Sequence, residues 1–182
     1  MSEYIVFDIE ANGLLEDSTE IYCISSLNIN TKEIKTLNYH IDGTLHLSWI
    51  TSLFKDKKII GHNIISYDIP MIKKFYGIDL IKELGKENII DTYVWSRTSY
   101  PDRPVPVGCP ASIINPVTRK AKKIGPHSLE ALGYTLGYRK VQIHDWTTFT
   151  PEVLTRCEGD VEMNEKIYYY LLKEMGLEHG EV

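Results

Sequence analysis

Residues 4 to 13, YIVFDIEANG, set the tightest limit on what this chain can fold into. Five of the first six side chains are strongly apolar and β-branched or aromatic. They fill both alternating faces, so the segment reads as a strand covered on both sides, at the centre of a sheet. Asp8 and Glu10 interrupt the run. Residues two apart in a strand project to one face, so the two carboxylates emerge together at the strand's C-terminal end. Open α/β sheets leave their ligand crevice at that end. Taken alone, the motif fits equally well a strand that runs out into water with two solvated acids.

A central covered strand needs neighbours on both edges and helices on both faces, and the sequence supplies them. EIYCISSLNI (20 to 29) and EIKTLNYHI (33 to 41) read as strands joined by the tight turn NTK, which makes a meander with the first. LHLSWITSLF (45 to 54) has helical spacing, and KKIIGHN (57 to 63) is a short strand running into a polar loop. YDIPMIKKFYG (67 to 77) is a helix closed by Gly77. ENIIDT (87 to 92) gives a fifth strand, leading into a helix that Asp91 caps. Residues 98 to 126 hold six of the eight prolines together with RKAKK, a long and partly irregular excursion of the kind that is functional or disordered in compact domains. PHSLEALGYTLG (126 to 137) follows as a helix. TPEVLTRCEGDVEMNEKIYYYLLKEMG (150 to 176) is a long one, with Thr150 at the N-cap, Pro151 at the first helical position and a stripe of Leu154, Cys157, Val161, Tyr168, Leu171 and Met175. The order predicts an α/β fold with a five-stranded mixed sheet flanked by helices. At 182 residues it fits one domain spanning 1–182.

Composition narrows the function. A net charge of −5 argues against a general nucleic-acid coat protein, which is basic, but allows an enzyme that grips phosphates locally and uses acids to hold metal ions. Three cysteines without a CxxC pair point to a reducing compartment, the cytoplasm, and away from zinc. No apolar run reaches the length of a bilayer span, so no membrane association is expected. Asp68 opens a helix directly after a strand and reaches the same sheet edge as Asp8 if that strand is parallel to the first. An acid in a first helical turn is also favoured by the macrodipole. Asp160 lies beside the apolar stripe of the last helix, where an exposed acid is the ordinary reading. Together, the four acids are equipment for two divalent cations, Mg²⁺ or Mn²⁺, which prefer hard oxygen ligands.

FDIEANGLL, GHNIISYDIP and RCEGDVEMN resemble the three motifs of the DEDD (DnaQ-like) 3′–5′ exonuclease superfamily. IIDTYVWSR and PHSLEALGYTLG are similar to the proofreading domain of family-A DNA polymerases of short-tailed bacteriophages, and the likeness runs over roughly residues 3 to 175. The resemblance implies a ribonuclease-H-like fold. It also implies that Asp8, Glu10, Asp68 and Asp160 hold two cations, about 3.5–4 Å apart in such two-metal sites. Asp8 would bridge them, Glu10 and Asp160 would complete the site holding the nucleophile, and Asp68 would reach its ion directly or through water. The implied reaction removes nucleoside 5′-monophosphates from a single-stranded DNA 3′ end. Leu14 corresponds to the family's wedge leucine; a loop residue closing the core is the plain alternative. Asn63 and Tyr67 resemble contacts to sugar, base and phosphate, although a tyrosine there also suits the core. Arg119, Lys120, Lys122 and Lys123 of RKAKK are either a phosphate clamp feeding the strand inward or a solvated loop.

One position departs from the family. Its branches orient the attacking water with a tyrosine four residues before the last aspartate or a histidine five before; Arg156 and Thr155 stand there. Arginine donates only and cannot take the water's proton. One helical turn from Asp160, Arg156 is expected to pair with it and to stabilise charge on the scissile phosphate. The same residues admit an exoribonuclease of this superfamily, or a catalytically weak nucleic-acid-binding or polymerase-tethering module. The expected setting is an independent exonuclease, a proofreading subunit acting beside a separate polymerase, or an excised fragment, encoded by a phage and working in the host cytoplasm.

Overall fold

The structure, a computed structural model, describes residues 3–38, 47–114, 121–143 and 145–182. Five strands form one sheet in the order β3-β2-β1-β4-β5: β1 Glu3–Ala11, β2 Ile21–Asn28, β3 Ile34–Asn38, β4 Lys57–Gly61 and β5 Ile89–Asp91. β1 pairs antiparallel with β2, and β2 with β3, which is the expected meander. On its other edge β1 pairs parallel with β4, and β4 with β5. The strand that opens the chain is therefore the middle one.

Its alternation divides the core into two layers. Ile5, Phe7 and Ile9 face the helices α1 Leu47–Phe54, α2 Asp68–Tyr76 and α3 Leu80–Leu84 through Ile50, Phe54, Met71, Ile72 and Leu80. Tyr4 and Val6 face the other way, onto α6 Pro151–Met175, through Val161, Tyr168 and Leu172. Between these come α4 Thr92–Ser99 and α5 Leu129–Thr135. Asp91 caps α4 as expected, its side chain accepting from the backbone of Tyr93 and Val94. Pro151 starts α6, and Gly176, in the left-handed conformation, ends it. Thr150 stands at the cap position, but its side chain makes no capping bond.

Two features differ from the sequence reading. α3, five residues capped by Asp79, is too short to show a helical period. The proline-rich excursion is less irregular than its composition suggests. Ser112–Ile114 (β6) and Ala121–Lys123 (β7) pair antiparallel as a separate two-stranded sheet, with Lys122 and Lys123 exposed on β7. Arg119 and Lys120, the other half of the basic run, lie outside the described residues.

Candidate active site

The same alternation that makes β1 central decides where its acids point. Asp8 and Glu10 follow Tyr4 and Val6 on the face covered by α6, so they come up beneath that helix's N-terminal half. Cys157, Asp160 and Val161, spaced three and four residues apart, share one face of α6. Cys157 is fully buried, with its Sγ 3.4 Å from the Asp8 carbonyl oxygen. Asp160 continues that buried stripe rather than facing solvent, and Asp8, Glu10 and Asp160 each present a carboxylate oxygen within 4.8 Å of the other two. Asp68, the first residue of α2, follows β4, which runs parallel to β1 and so delivers it to the same sheet edge. It lies outside that group of three. It is buried, and its Oδ1 accepts the backbone N–H of Ile9 at 2.9 Å, between Asp8 and Glu10.

Burial makes these charges expensive. It raises the Asp8 carboxyl well above the usual range, with repulsion from Glu10, Asp68 and Asp160 adding to the effect. Glu10 is pushed up to about 7 by burial, against the pull of Arg156. Asp68 is pushed up to about 8 by burial, against its hydrogen bond from Ile9. A pocket of acids this reluctant to ionise either keeps protons or takes cations. The donors are all oxygen and close together, which fits hard divalent ions such as Mg²⁺ or Mn²⁺.

Two basic side chains already lean on the cluster. Lys140 Nζ is 2.6 Å from Asp160 Oδ2, both side chains nearly buried. Arg156 Nε donates to Glu10 Oε1 at 2.9 Å and is 3.8 Å from Asp160 Oδ2. The expected Arg156–Asp160 pair is therefore the looser of the two. The guanidinium reaches across to β1, its Nη1 donates to the Val141 carbonyl at 2.6 Å, and its central carbon lies 5.2 Å from the Trp146 ring centre.

The acids sit in a cleft of about 640 Å³ whose lining includes Leu14, Asn63, Tyr67, Lys122 and Lys123. Leu14 is 69% exposed, which removes the core-closing alternative. Its turn is held from outside. The Tyr67 hydroxyl donates to the Gly13 carbonyl at 2.8 Å, and Lys74 Nζ donates to the carbonyls of Leu15 and Ser18 at 2.8 and 2.6 Å. Tyr67 also packs against the core, as the alternative reading of it expected, while lining the cleft. Asn63 takes a left-handed φ of 65°, a conformation asparagine tolerates better than most residues. The buried Asp91 carboxylate fixes it by accepting the N–H groups of Asn63 and Ile65 at 2.9 and 3.1 Å.

Sequence reasoning missed Lys140, Glu130 and His62, which also line the cleft. His62 bonds the Thr92 hydroxyl through Nδ1 at 3.0 Å, and burial lowers it to about 3, with Lys140 adding to the shift. It is a neutral ring. Glu130 carries a raised carboxyl, again from burial. His62 and Glu130 lie inside the quoted segments GHNIISYDIP and PHSLEALGYTLG, which was the available signal for them, whereas Lys140 stands in a loop with no such mark.

A five-stranded mixed sheet with carboxylates gathered at the end of its central strand is a ribonuclease-H-like fold with an acidic, metal-type centre. The family profile RNase_H_2, of the RNase_H superfamily, matches residues 5–103, and the chain belongs to that superfamily. It is 33% identical over 191 aligned positions to the DNA-directed DNA polymerase of Escherichia phage T7, across 93% of this chain and 27% of the polymerase. The Enterobacteria phage T3 polymerase is 32% identical over the same shares. The chain thus spans about a quarter of the length of these curated relatives. E. coli Exonuclease I in complex with a dT13 oligonucleotide superposes at a TM-score of 0.62 and 14% identity, over 97% of this chain and 42% of that one. A nuclease in its apo form superposes at 0.61 and 16% identity, over 94% and 72%. At such identity these two show the fold, which agrees with the sheet described above. The DnaQ-like resemblance read from the three acidic motifs and the kinship with phage polymerases agree with one another.

Proposed function

We propose that this protein is a metal-dependent 3′–5′ exonuclease that trims single-stranded DNA ends to nucleoside 5′-monophosphates, acting in the cytoplasm in association with a DNA polymerase. The convergence of Asp8, Glu10 and Asp160 within 4.8 Å, at the floor of a cleft with lysines and a leucine at its sides, carries this reading. Those three acids and Asp68 would hold two divalent ions. A cation pair of this kind supplies an activated water and neutralises both oxygens of an in-line displacement at phosphorus.

The chain's own residues account for substrate choice. Leu14, exposed on a turn tied down by Tyr67 and Lys74, would separate the terminal base from its neighbour. Tyr67 offers a ring to an unstacked base, a contact of about 1–3 kcal/mol that tolerates any sequence. Lys122 and Lys123 meet the backbone upstream. The Exonuclease I complex with an oligonucleotide and the polymerase relatives support DNA over RNA and a polymerase partner. Among the described residues no helix is long and apolar enough to cross a membrane.

The test is incubation of single-stranded DNA and RNA, each labelled and blocked at one end, with Mg²⁺, Mn²⁺ or chelator. Stepwise shortening of DNA from the 3′ end that stops in chelator is the expected result. Preferential shortening of RNA moves the assignment to exoribonuclease. No cutting of either leaves a binding or tethering module, a reading favoured by the Arg156–Glu10 pair.

A further inference from the structure

Two cations approach one oxygen, Asp160 Oδ2: Lys140 Nζ at 2.6 Å and Arg156 Nε at 3.8 Å. They are anchored very differently. Arg156 is tied on three sides, to Glu10, to the Val141 carbonyl and over the Trp146 ring. Trp146 is in turn fixed to β2, because the Tyr22 hydroxyl donates to its carbonyl at 2.9 Å. Holding Val141 this way sets the backbone next to Lys140. The lysine itself ends in a flexible four-carbon stem, and its ammonium pairs with Asp160. A nearly buried lysine is costly unless paired, and this one is paired with an acid of the metal-type cluster.

Resting on the exonuclease reading above, we infer that Lys140 is the tethered counter-cation of Asp160, with Arg156 as the fixed post that positions it. Without metal, Lys140 holds the cluster together against its own repulsion. An ion ligated by Asp160 Oδ2 must displace the ammonium from that oxygen, so Lys140 sets how tightly metal binds. Arg156 cannot step aside without giving up all three anchors. Lys140 can withdraw along its stem into the cleft it already lines.

The intact protein tests this through metal binding and lysine reactivity rather than turnover. Calorimetric titration with Mn²⁺ should show Lys140→Gln binding about tenfold more tightly than wild type, one nearby unit charge being worth that much or more at contact distance. In chelator the same variant should melt at a lower temperature. Wild-type protein supplies a readout that needs no variant to fold. Acylation of Lys140 by an amine-reactive ester, followed by mass spectrometry, should be slow in chelator and several-fold faster in saturating Mg²⁺. Equal Mn²⁺ affinities in wild type and Lys140→Gln, or Lys140 labelling that metal does not change, overturns the inference while leaving the exonuclease reading intact. No Mn²⁺ binding by wild type, with Asp160→Asn indistinguishable from it, removes both.

Discussion

Lys140 and Arg156 lie against the acids, each on a named carboxylate, with side chains 12% and 17% exposed. Lys122 and Lys123 line the same cleft from the β6–β7 hairpin. They are exposed, and neither is matched to an acid among the described residues. Four like charges face one space in two settings, and the setting decides what each does. The first pair is part of the site's internal charge balance, where low dielectric strengthens every contact and solvent screens little. The second pair acts on whatever approaches through water, and its influence falls with salt.

Asparagine substitutions of the acids give the largest effects. Asp8→Asn and Asp160→Asn should each lower turnover about a thousandfold or more, since the lost charge stabilisation is several kcal/mol. Their metal-free stabilities should diverge. Asp160→Asn leaves Lys140 nearly buried without its partner, a loss of about 3 kcal/mol. Asp8 has no ion pair of its own among the described residues, and its removal relieves repulsion on its neighbours. Thermal melts in chelator should therefore show a clear drop for Asp160→Asn and no drop, or a rise, for Asp8→Asn. Equal drops would mean that the basic residues do not balance the cluster in the way their distances indicate.

Acidity probes the same balance without mutation. Burial pushes Glu10 up to about 7 and Asp68 up to about 8 in the folded protein, against ordinary carboxylate values of about 4 in the unfolded chain. Between those limits the folded state holds more protons than the unfolded one, so stability falls as pH rises. Metal-free protein should lose melting temperature from about pH 5 to about pH 8. Saturating Mg²⁺ should flatten the slope, because bound metal favours the ionised acids and expels their protons. Calorimetry at about pH 6.5 in buffers of different ionisation enthalpy should register that proton release. A melting temperature that rises with pH in chelator would show that the acids are better compensated than their burial implies.

These effects also mark how far the sequence could be read. The order and type of the five strands, the cap at Asp91 and the limits of α6 were legible, because each follows from a local period or a terminus signal. The approach of the acids was expected from their joint presence and the family resemblance, each acid alone having an ordinary reading. β1 declared its central place by apolar residues on both faces, and its polarity switch at Asp8 marked the sheet edge without alone deciding between a site and a solvated strand end. Lys140 was not legible. It is one lysine in a loop, and its meaning comes from a carboxylate twenty positions later that reaches it only once α6 packs over β1. The RKAKK run had the opposite character, conspicuous as composition but silent about geometry until β7 placed Lys122 and Lys123 at the cleft. Arg156 was placed correctly near Asp160 by helical spacing, yet its nearer partner, Glu10, lies across an interface that no spacing encodes.

The exposed pair should give smaller effects of another kind. Replacing Lys122 and Lys123 by alanine should weaken single-stranded DNA binding several-fold and flatten the plot of log affinity against log salt by about 0.7 for each phosphate no longer neutralised. Mn²⁺ affinity and melting temperature in chelator should stay at wild-type values. A shift in metal affinity would place these lysines with Lys140 instead.

Lys74 offers the finest test, because it is exposed like Lys122 yet tied down like Arg156. Its ammonium is held by backbone carbonyls of the turn that carries Leu14, at 2.6 to 2.8 Å for the two nearest, and not by a carboxylate among the described residues. If fixed partners rather than exposure decide a cation's task, Lys74 is a clamp on the turn and takes no part in phosphate binding. Lys74→Met should then loosen Leu14, with a modest effect, since Tyr67 still holds Gly13 and one hydrogen-bonding group is worth about 1 kcal/mol net. The expected result is a loss of a few-fold in turnover on strands whose terminal bases stack well and almost none on weakly stacked ones. The salt slope and metal affinity should not move. Combining it with Tyr67→Phe should cost more than the two single losses together, because the turn would then lose both of its outside supports. A salt slope that falls for Lys74→Met as it does for Lys122→Ala would show that the carbonyl bonds are incidental and that exposure alone assigns these lysines their role.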